Sequence, residues 1–337
     1  MITIKLHNWN KGRNEPTFRP FLFAQKLFNE VGIQFTEGAN YDYIFVGMHD
    51  FIDRKVPLDE SIAKGVKAIK PFGDKCFLFD GSDSTSLLGA YEVLSNSSAR
   101  YLFKNQLLKS RELYREPSPF NKVFFTGDSD FEVGYDISDK DWNRIKLSGY
   151  NLGYLLPDYR VHYKEAEDKP FDVCAIYQGY HDENYDHGFR NDTYYTEHRA
   201  GAWNILNELE HWDVLTEKLP KQEYIDKMRK SKVALSPFGM GEVCFRDFEL
   251  MQFGTAMVKP SMSHLKTIPN PYIEGKTYFP TAHTWDDLTE VLSEVIDDPV
   301  AQNEVVHNFR KVFLEEYTLE KFVLYWYNII KEQPEVV

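Results

Sequence analysis

One feature constrains this chain more than any other: an alternation of two hydrophobic rhythms that runs through it twice. ITIKLHNW (2–9), IQFTEG, YDYIFVG, KCFLFDG (75–81) and NKVFFTG (121–127) are short apolar runs. Between them lie PTFRPFLFAQKLFNEVG (16–32), DESIAKGVKAIK (59–70) and SLLGAYEVLSN, whose apolar residues recur three and four apart. A run such as KCFLFDG suits a strand covered on both faces, and a spacing of three and four suits a helix with one buried stripe. ARYLFKNQLL predicts a strand running into a helix.

The rhythm fades from 128 to 170, where DSDFEVGYDISDKDW is acidic and irregular and YKEAEDKP (163–170) has the composition of a linker. It then restarts. FDVCAIYQG (171–179), WDVLTEKL, KVALSPF (232–238) and GTAMVKP (254–260) read as strands. TEHRAGAWNILNELE (196–210), with Thr196 at its N-cap, KQEYIDKMRKS, WDDLTEVLSEVIDDP (285–299) and LEKFVLYWYNIIKE (319–332) read as helices. Strands alternating with helices predict an α/β fold of largely parallel sheets, here two Rossmann-like domains facing a cleft. The expected boundaries are 1–165 for the first domain, 166–316 for the second and 317–337 for a terminal helix. Ligands of such sheets bind at the C-terminal ends of the strands.

Composition narrows the partners. A net charge of −13 weighs against duplex DNA or RNA as the partner, because the phosphate backbone demands a basic face. It leaves room for a basic pocket that takes one small anion. Cys76, Cys174 and Cys244 are odd in number and far apart, which fits a reducing compartment better than a disulfide framework. MITIKLHNWNKGRNE reads as a strand and a polar loop, not a signal peptide, and no apolar run is long enough for a transmembrane segment. These point to a cytoplasmic protein, with attachment to a membrane face left open.

SPFGMGEVCFRDFELMQFGTAMVKP (236–260) carries the chemistry. Its order is strand, glycine loop, helix, strand. The start of the helix offers unpaired N–H groups and partial positive charge, a site for phosphate or diphosphate. Arg246 can add a charge-assisted contact, and Glu249, one turn on, can accept hydrogen bonds from the paired hydroxyls of a ribose. The competing reading is a simple turn with Glu242 and Glu249 in solvent and Arg246 paired to one of them.

SKVALSPFGMGEVCFRDFELMQFGTAMVKPSMSHL resembles the donor-binding segment of GT-B glycosyltransferases. FELMQFGTAMV is similar to the glutamate-led run of retaining, glycogen-synthase-like enzymes, and FRDFE to the exostosin-like group, where an arginine shortly precedes the glutamate. The resemblance implies a metal-independent transferase, hexosyl or pentosyl, that uses a nucleotide-diphosphate sugar such as a UDP or GDP sugar, with no cofactor or metal. It places Glu249 on the ribose, Arg246 near the diphosphate, Gly239 and Gly241 in the phosphate loop, and Gly254 at the tight turn out of the helix. Ser236, Arg199, Lys259 and His264 are further donor-side candidates, and the terminal helix is expected to cross back to the first domain. The retaining pattern separates its two glutamates by one residue more than the six between Glu242 and Glu249, which bears on Glu242 as a catalytic residue near the sugar.

On the acceptor side, Asp80 closes an apolar strand and is a candidate general base, or else an N-cap for the next helix, a part Asp83 or Ser84 could also fill. His49, Asp50 and Arg13 also follow strands and are candidates for binding a glycan, glycoprotein or glycolipid hydroxyl, against a plain surface-loop role. His181, Asp182, Asp186 and His187 are metal-ligand types without a metal-site spacing. Asp128-x-Asp130 and Asp139-x-Asp141 match a short motif common by chance. The alternatives to a transferase are a non-catalytic nucleotide- or glycan-binding protein and a nucleotide-sugar epimerase.

Overall fold

The computed structural model describes every residue except 11–13, 53–55, 120, 123–131, 150–168, 178–192, 218, 240 and 332–337. The boundary expected at 165/166 lies outside the described residues, as do Arg13, the 181–187 stretch and Asp128-x-Asp130.

The first half contains β1 (Ile2–His7), α1 (Asn14–Phe23), α2 (Gln25–Glu30), β2 (Ile33–Thr36), β3 (Tyr43–Gly47), α3 (Leu58–Ile69), β4 (Cys76–Asp80), α4 (Ala90–Ser95), β5 (Tyr101–Lys104), β6 (Leu107–Leu108), β7 (Ser118–Pro119), β8 (Glu132–Val133), α5 (Asp139–Trp142) and β9 (Ile145–Leu147). The second half contains β10 (Phe171–Cys174), α6 (Thr193–Asn207), β11 (Val214–Leu215), α7 (Lys221–Arg229), β12 (Ser231–Leu235), α8 (Phe245–Phe253), β13 (Ala256–Pro260), β14 (Leu265–Lys266), β15 (Phe279–Thr281), α9 (Leu288–Val295), α10 (Pro299–Glu316) and α11 (Leu319–Ile330).

Six strands form one all-parallel sheet in the order β2-β1-β3-β4-β5-β9, and five form another in the order β11-β10-β12-β13-β15. Each sheet is the core of a Rossmann-like domain, as the alternation predicted. In each, strand order reverses beside the first strand, which opens a crevice at the C-terminal edge. β4 is buried at all five positions and β12 at four of five, the signature of strands covered on both faces.

The departures have local causes. β1 stops at His7 because Asn8 adopts a left-handed φ of 49°. The helix expected over 16–32 breaks at Ala24 into α1 and α2, with Pro20, which lacks an N–H, inside α1. Helix α6 begins at Thr193, so Thr196 sits within it and is not its N-cap. Pro299, read as the end of a helix, opens α10, with Asp298 Oδ1 accepting from the Ala301 N–H at 2.9 Å. ARYLFKNQLL does not run into a helix. Its last two residues are β6, which pairs antiparallel with β14 of the second domain.

Helix α11 returns to the first domain. Trp326 is fully buried against Phe21, Phe45, Phe79 and Phe103, with ring centroids 4.9, 5.4, 5.5 and 4.7 Å away. Its indole N–H donates to Ser148 O at 3.1 Å. These rings, left unassigned by sequence alone, are therefore core. No described helix is long and apolar enough to cross a membrane.

Candidate active site

At the reversal point of the second sheet, Ala175–Tyr177 leave β10, Ser236–Gly239 leave β12 and Gly241–Cys244 lead into α8. Two arginines converge there. Arg246, in the first turn of α8, donates from Nη2 to Ile176 O at 2.8 Å and lies over the Tyr177 ring at 5.5 Å. Arg199 of α6 donates from Nε to Phe238 O at 2.9 Å. A Cβ added to Gly239 would lie 2.9 Å from Arg199 Nη2, so the guanidinium runs along that glycine. The Arg246 Nε is buried and has no hydrogen-bond partner among the described residues. Glu249, half-buried one turn along α8, accepts from the Tyr224 hydroxyl at 3.0 Å.

The foundation of α8 is a residue the sequence reading passed over, Asp247. It is fully buried and accepts from Cys244 N at 3.0 Å, Ser236 Oγ at 2.5 Å, Tyr272 Oη at 2.7 Å and Lys259 Nζ at 3.2 Å. Lys259 is itself fully buried and also donates to Ser236 O at 3.2 Å. Ser236 and Lys259, expected against the donor, therefore brace the helix from below. The loop expected to offer its N–H groups to phosphate uses several of them internally. Gly239 N donates to Gly241 O at 3.0 Å, Cys244 N to Asp247, and Val243 N to Gln106 Oε1 at 3.2 Å. Positive charge at this edge comes chiefly from the two guanidinium groups.

Glu242 faces the other domain. Its Oε1 accepts from Thr85 Oγ1 at 3.1 Å, and its Oε2 from Lys122 Nζ at 2.7 Å and Gln106 Nε2 at 2.9 Å. Gln106 also donates to Asp83 O. A Cβ on Gly241 would collide with that same Asp83 carbonyl, so Gly241 serves a close approach between domains.

His264 lies beside this cluster, its ring centroid 4.9 Å from that of His283 and 6.1 Å from Phe238. His198 stacks on the same Phe238 ring at 5.2 Å and lies tilted against Trp285 at 4.9 Å. Burial, reinforced by neighbouring cations, pushes the His198 imidazole down to about 3. Burial and the neighbouring His283 and Lys122, opposed by Glu242, leave His264 at about 4. Both rings are neutral near pH 7.

In the first domain, Asp80 ends β4. Its Oδ2 pairs with Lys104 Nζ at 2.6 Å and its Oδ1 accepts from Ser82 N at 3.0 Å. Burial acts to raise its carboxyl, but the Lys104 ammonium and the hydrogen bonds prevail and hold it below the usual range. It caps no helix: α4 starts behind Gly89, which has φ 79°. Asp50 accepts from Asn8 Nδ2 at 3.1 Å and Asn14 Nδ2 at 2.9 Å, and His49 lies beside Gly81. The Asp139-x-Asp141 pair is structural, Asp139 meeting Arg111 and Asp141 meeting Arg144 at 2.7 Å. Among the described residues, no three His, Cys, Asp or Glu side chains gather as a metal site would require.

Lys104, Lys122, Gln106 and Tyr224 were also missed. Lys104 had a signal, a charge closing the apolar run YLFK, as Asp80 closes KCFLFD. Asp247 hid because the N-cap of its capping box is Cys244, not serine or threonine.

No protein-family model matches the sequence, and no curated protein matches it. Several solved structures align over 98% of the chain. They include a sucrose-phosphate synthase from Thermosynechococcus elongatus (12% identity, 99% of that chain, TM-score 0.49), an alpha-glucosyltransferase in complex with UDP and a mismatch-containing 13-mer DNA (10%, 99%, 0.47), and Anabaena Alr3699/HepE in complex with UDP-glucose (11%, 100%, 0.40). At these identities and scores the likenesses carry no weight for function, which rests on the residues of the chain itself.

Proposed function

We propose that the protein is a glycosyltransferase that takes a nucleotide-diphosphate sugar in the second domain and transfers the sugar to a hydroxyl acceptor presented by the first. The observation that carries this reading is Arg246. It stands in the first turn of α8 at the reversal point of a parallel sheet, its Nε buried without a hydrogen-bond partner among the described residues, with Glu249 one turn along. A diphosphate supplies the acceptor oxygens that a buried guanidinium needs.

In this reading Arg246 and Arg199 stabilise the charge that develops on the departing nucleotide diphosphate, the work a divalent ion does elsewhere, so no metal is required. Glu249, steadied by Tyr224, accepts from the ribose hydroxyls. The neutral His264, whose carbonyl accepts from Lys109 N of the first domain, lies where the sugar would sit. Asp80 is the acceptor-side carboxylate. The Lys104 ammonium that keeps it ionised also weakens it as a base, so its part is to orient the acceptor hydroxyl. The acceptor would be a glycan, glycoprotein or glycolipid.

A second reading, nucleotide binding without transfer, is favoured by one observation: Asp80 and Glu242 are both held in buried ion pairs. The experiment is calorimetric titration with UDP, GDP, ADP, CDP and dTDP in EDTA, wild type beside Arg246→Ala and Glu249→Ala. Binding of one nucleotide, weakened in both variants, supports the pocket and its metal independence. Incubation of that nucleotide's sugar with and without acceptors then separates transferase, epimerase and binder. Absence of binding for all five would sink the proposal.

A further inference from the structure

Among the described residues, every hydrogen-bond partner of the Glu242 side chain belongs to the first domain: Thr85, Gln106 and Lys122. All four side chains are buried, and Lys122 is fully enclosed. The contact is built on the backbone as well. Gln106 Oε1 accepts from Val243 N, its amide donates to Asp83 O, and Gly241 packs against that same carbonyl. Just beyond, Lys109 N donates to His264 O at 2.8 Å and β6 pairs with β14. The segment so gripped, 241–244, leads directly into the first turn of α8, where Arg246 stands.

A carboxylate with both oxygens engaged by side chains of the first domain is not placed to meet a sugar. It is placed to sense whether the domains are together. Apart, Glu242 and Lys122 would each be hydrated. Together, each neutralises the other, and the loop that carries Glu242 takes its present shape.

We propose that Lys122 and Gln106 are positioning residues. They act through Glu242 on segment 241–244, so that closure of the first domain sets the head of α8 for the donor. The part concerning the donor rests on the reading above; the part concerning closure does not.

The test uses the full chain as wild type, Lys122→Gln, Glu242→Gln, the double variant Lys122→Gln/Glu242→Gln, and Gln106→Ala. Small-angle scattering and amide hydrogen exchange are measured without ligand, and nucleotide diphosphate binding (UDP or GDP, whichever the wild type takes) by calorimetry. Each single variant at 122 or 242 strands a buried charge, while the double variant leaves a neutral amide pair. The expected result is a larger radius of gyration and lost protection at Val243 in both singles and in Gln106→Ala, with β12 and β13 amides still protected. The double variant returns toward wild type. A closed fraction reduced to about a tenth would raise the apparent Kd about 10-fold, and the double variant would recover most of it.

Unchanged radius and Val243 protection in all three single variants would overturn the proposal, as would a double variant no better than the worse single. If β12 and β13 also lose protection in the 122 and 242 variants, Gln106→Ala decides. Failure of the wild type to bind any nucleotide would refute the donor reading alone and leave the scattering result to judge closure.

Discussion

Lys122 Nζ of the first domain lies 2.7 Å from Glu242 Oε2 of the second, and neither side chain has meaningful contact with solvent. Buried pairs of this kind add little net stability relative to apolar packing, because desolvation offsets attraction, but breaking one is costly. Two more lysine–carboxylate pairs occupy the facing strand ends, Lys104 with Asp80 and Lys259 with Asp247. The three pairs divide the labour: one fixes the C-terminal edge of the first sheet, one joins the domains and one supports the helix that carries Arg246.

Asp247→Ala should be the most damaging substitution at α8. It leaves the Lys259 ammonium buried without its carboxylate and removes a partner from Ser236, Tyr272 and the Cys244 N–H. The expected loss is about 3–5 kcal/mol, read from urea unfolding. A loss below about 1 kcal/mol would mean that the network does not support the helix as described.

Tyr224→Phe removes one hydroxyl and its hydrogen bond to Glu249. If Glu249 holds a ribose, nucleotide affinity should fall by about 2- to 10-fold, the equivalent of about 0.5–1.5 kcal/mol. Calorimetry at fixed pH checks this. Unaltered affinity would detach Tyr224 from the site.

The two loop glycines should separate experimentally. At Gly241 an added methyl group meets backbone, the Asp83 carbonyl of the other domain; at Gly239 it meets the far end of the Arg199 side chain. Gly241→Ala should therefore cost about 1–3 kcal/mol and loosen the domain contact. Gly239→Ala should be nearly neutral for stability and should act on nucleotide binding by displacing Arg199. Thermal unfolding of the two variants side by side would show whether this order holds.

Acid should destabilise the protein through two imidazoles. His198 and His264 have folded-state values of about 3 and about 4, below the unfolded value of 6.5. Between those limits the unfolded chain binds protons that the folded chain does not, so stability rises with pH and is lost as pH falls from 6.5 toward 4. Each group contributes a slope of up to about 1.4 kcal/mol per pH unit. Replacing both with glutamine should flatten the urea midpoint against pH in that window; an unchanged slope would refute the assignment.

Trp326→Ala should cost about 3–5 kcal/mol, since the indole fills the space among four phenylalanine rings and its N–H is bonded to Ser148 O. Denaturant unfolding measures it. The first domain should bear the loss, visible as early exchange of β3 and β4 amides.

What sequence revealed and what it hid follow from range. KCFLFDG and KVALSPF declare strands because each residue's environment is set by neighbours along the chain and by cover on both faces. The convergence of Arg246 and Glu249 near a helix start is likewise local, and so was readable. The setting of Glu242 was hidden because its partners Thr85, Gln106 and Lys122 are more than a hundred residues away. Ser236 and Lys259 carry the right chemistry for a donor site, but nothing in their neighbourhood of sequence announces Asp247 between them. Leu107 and Leu108, expected in a helix, form a strand only because Leu265 and Lys266 lie alongside them. Such pairings are set by tertiary contact, which overrides local propensity.

The return of α11 has a bearing on synthesis. The first domain emerges first, yet the cavity among Phe21, Phe45, Phe79 and Phe103 is filled by Trp326, made after the whole of the second domain. Nascent chains usually complete domains in order from the N-terminus. Here the first domain stays unfinished, its aromatic interior open on one side, until residues 319–330 clear the ribosome. A chain interrupted anywhere before that helix would lose the keystone of the domain it had already spelled out in full.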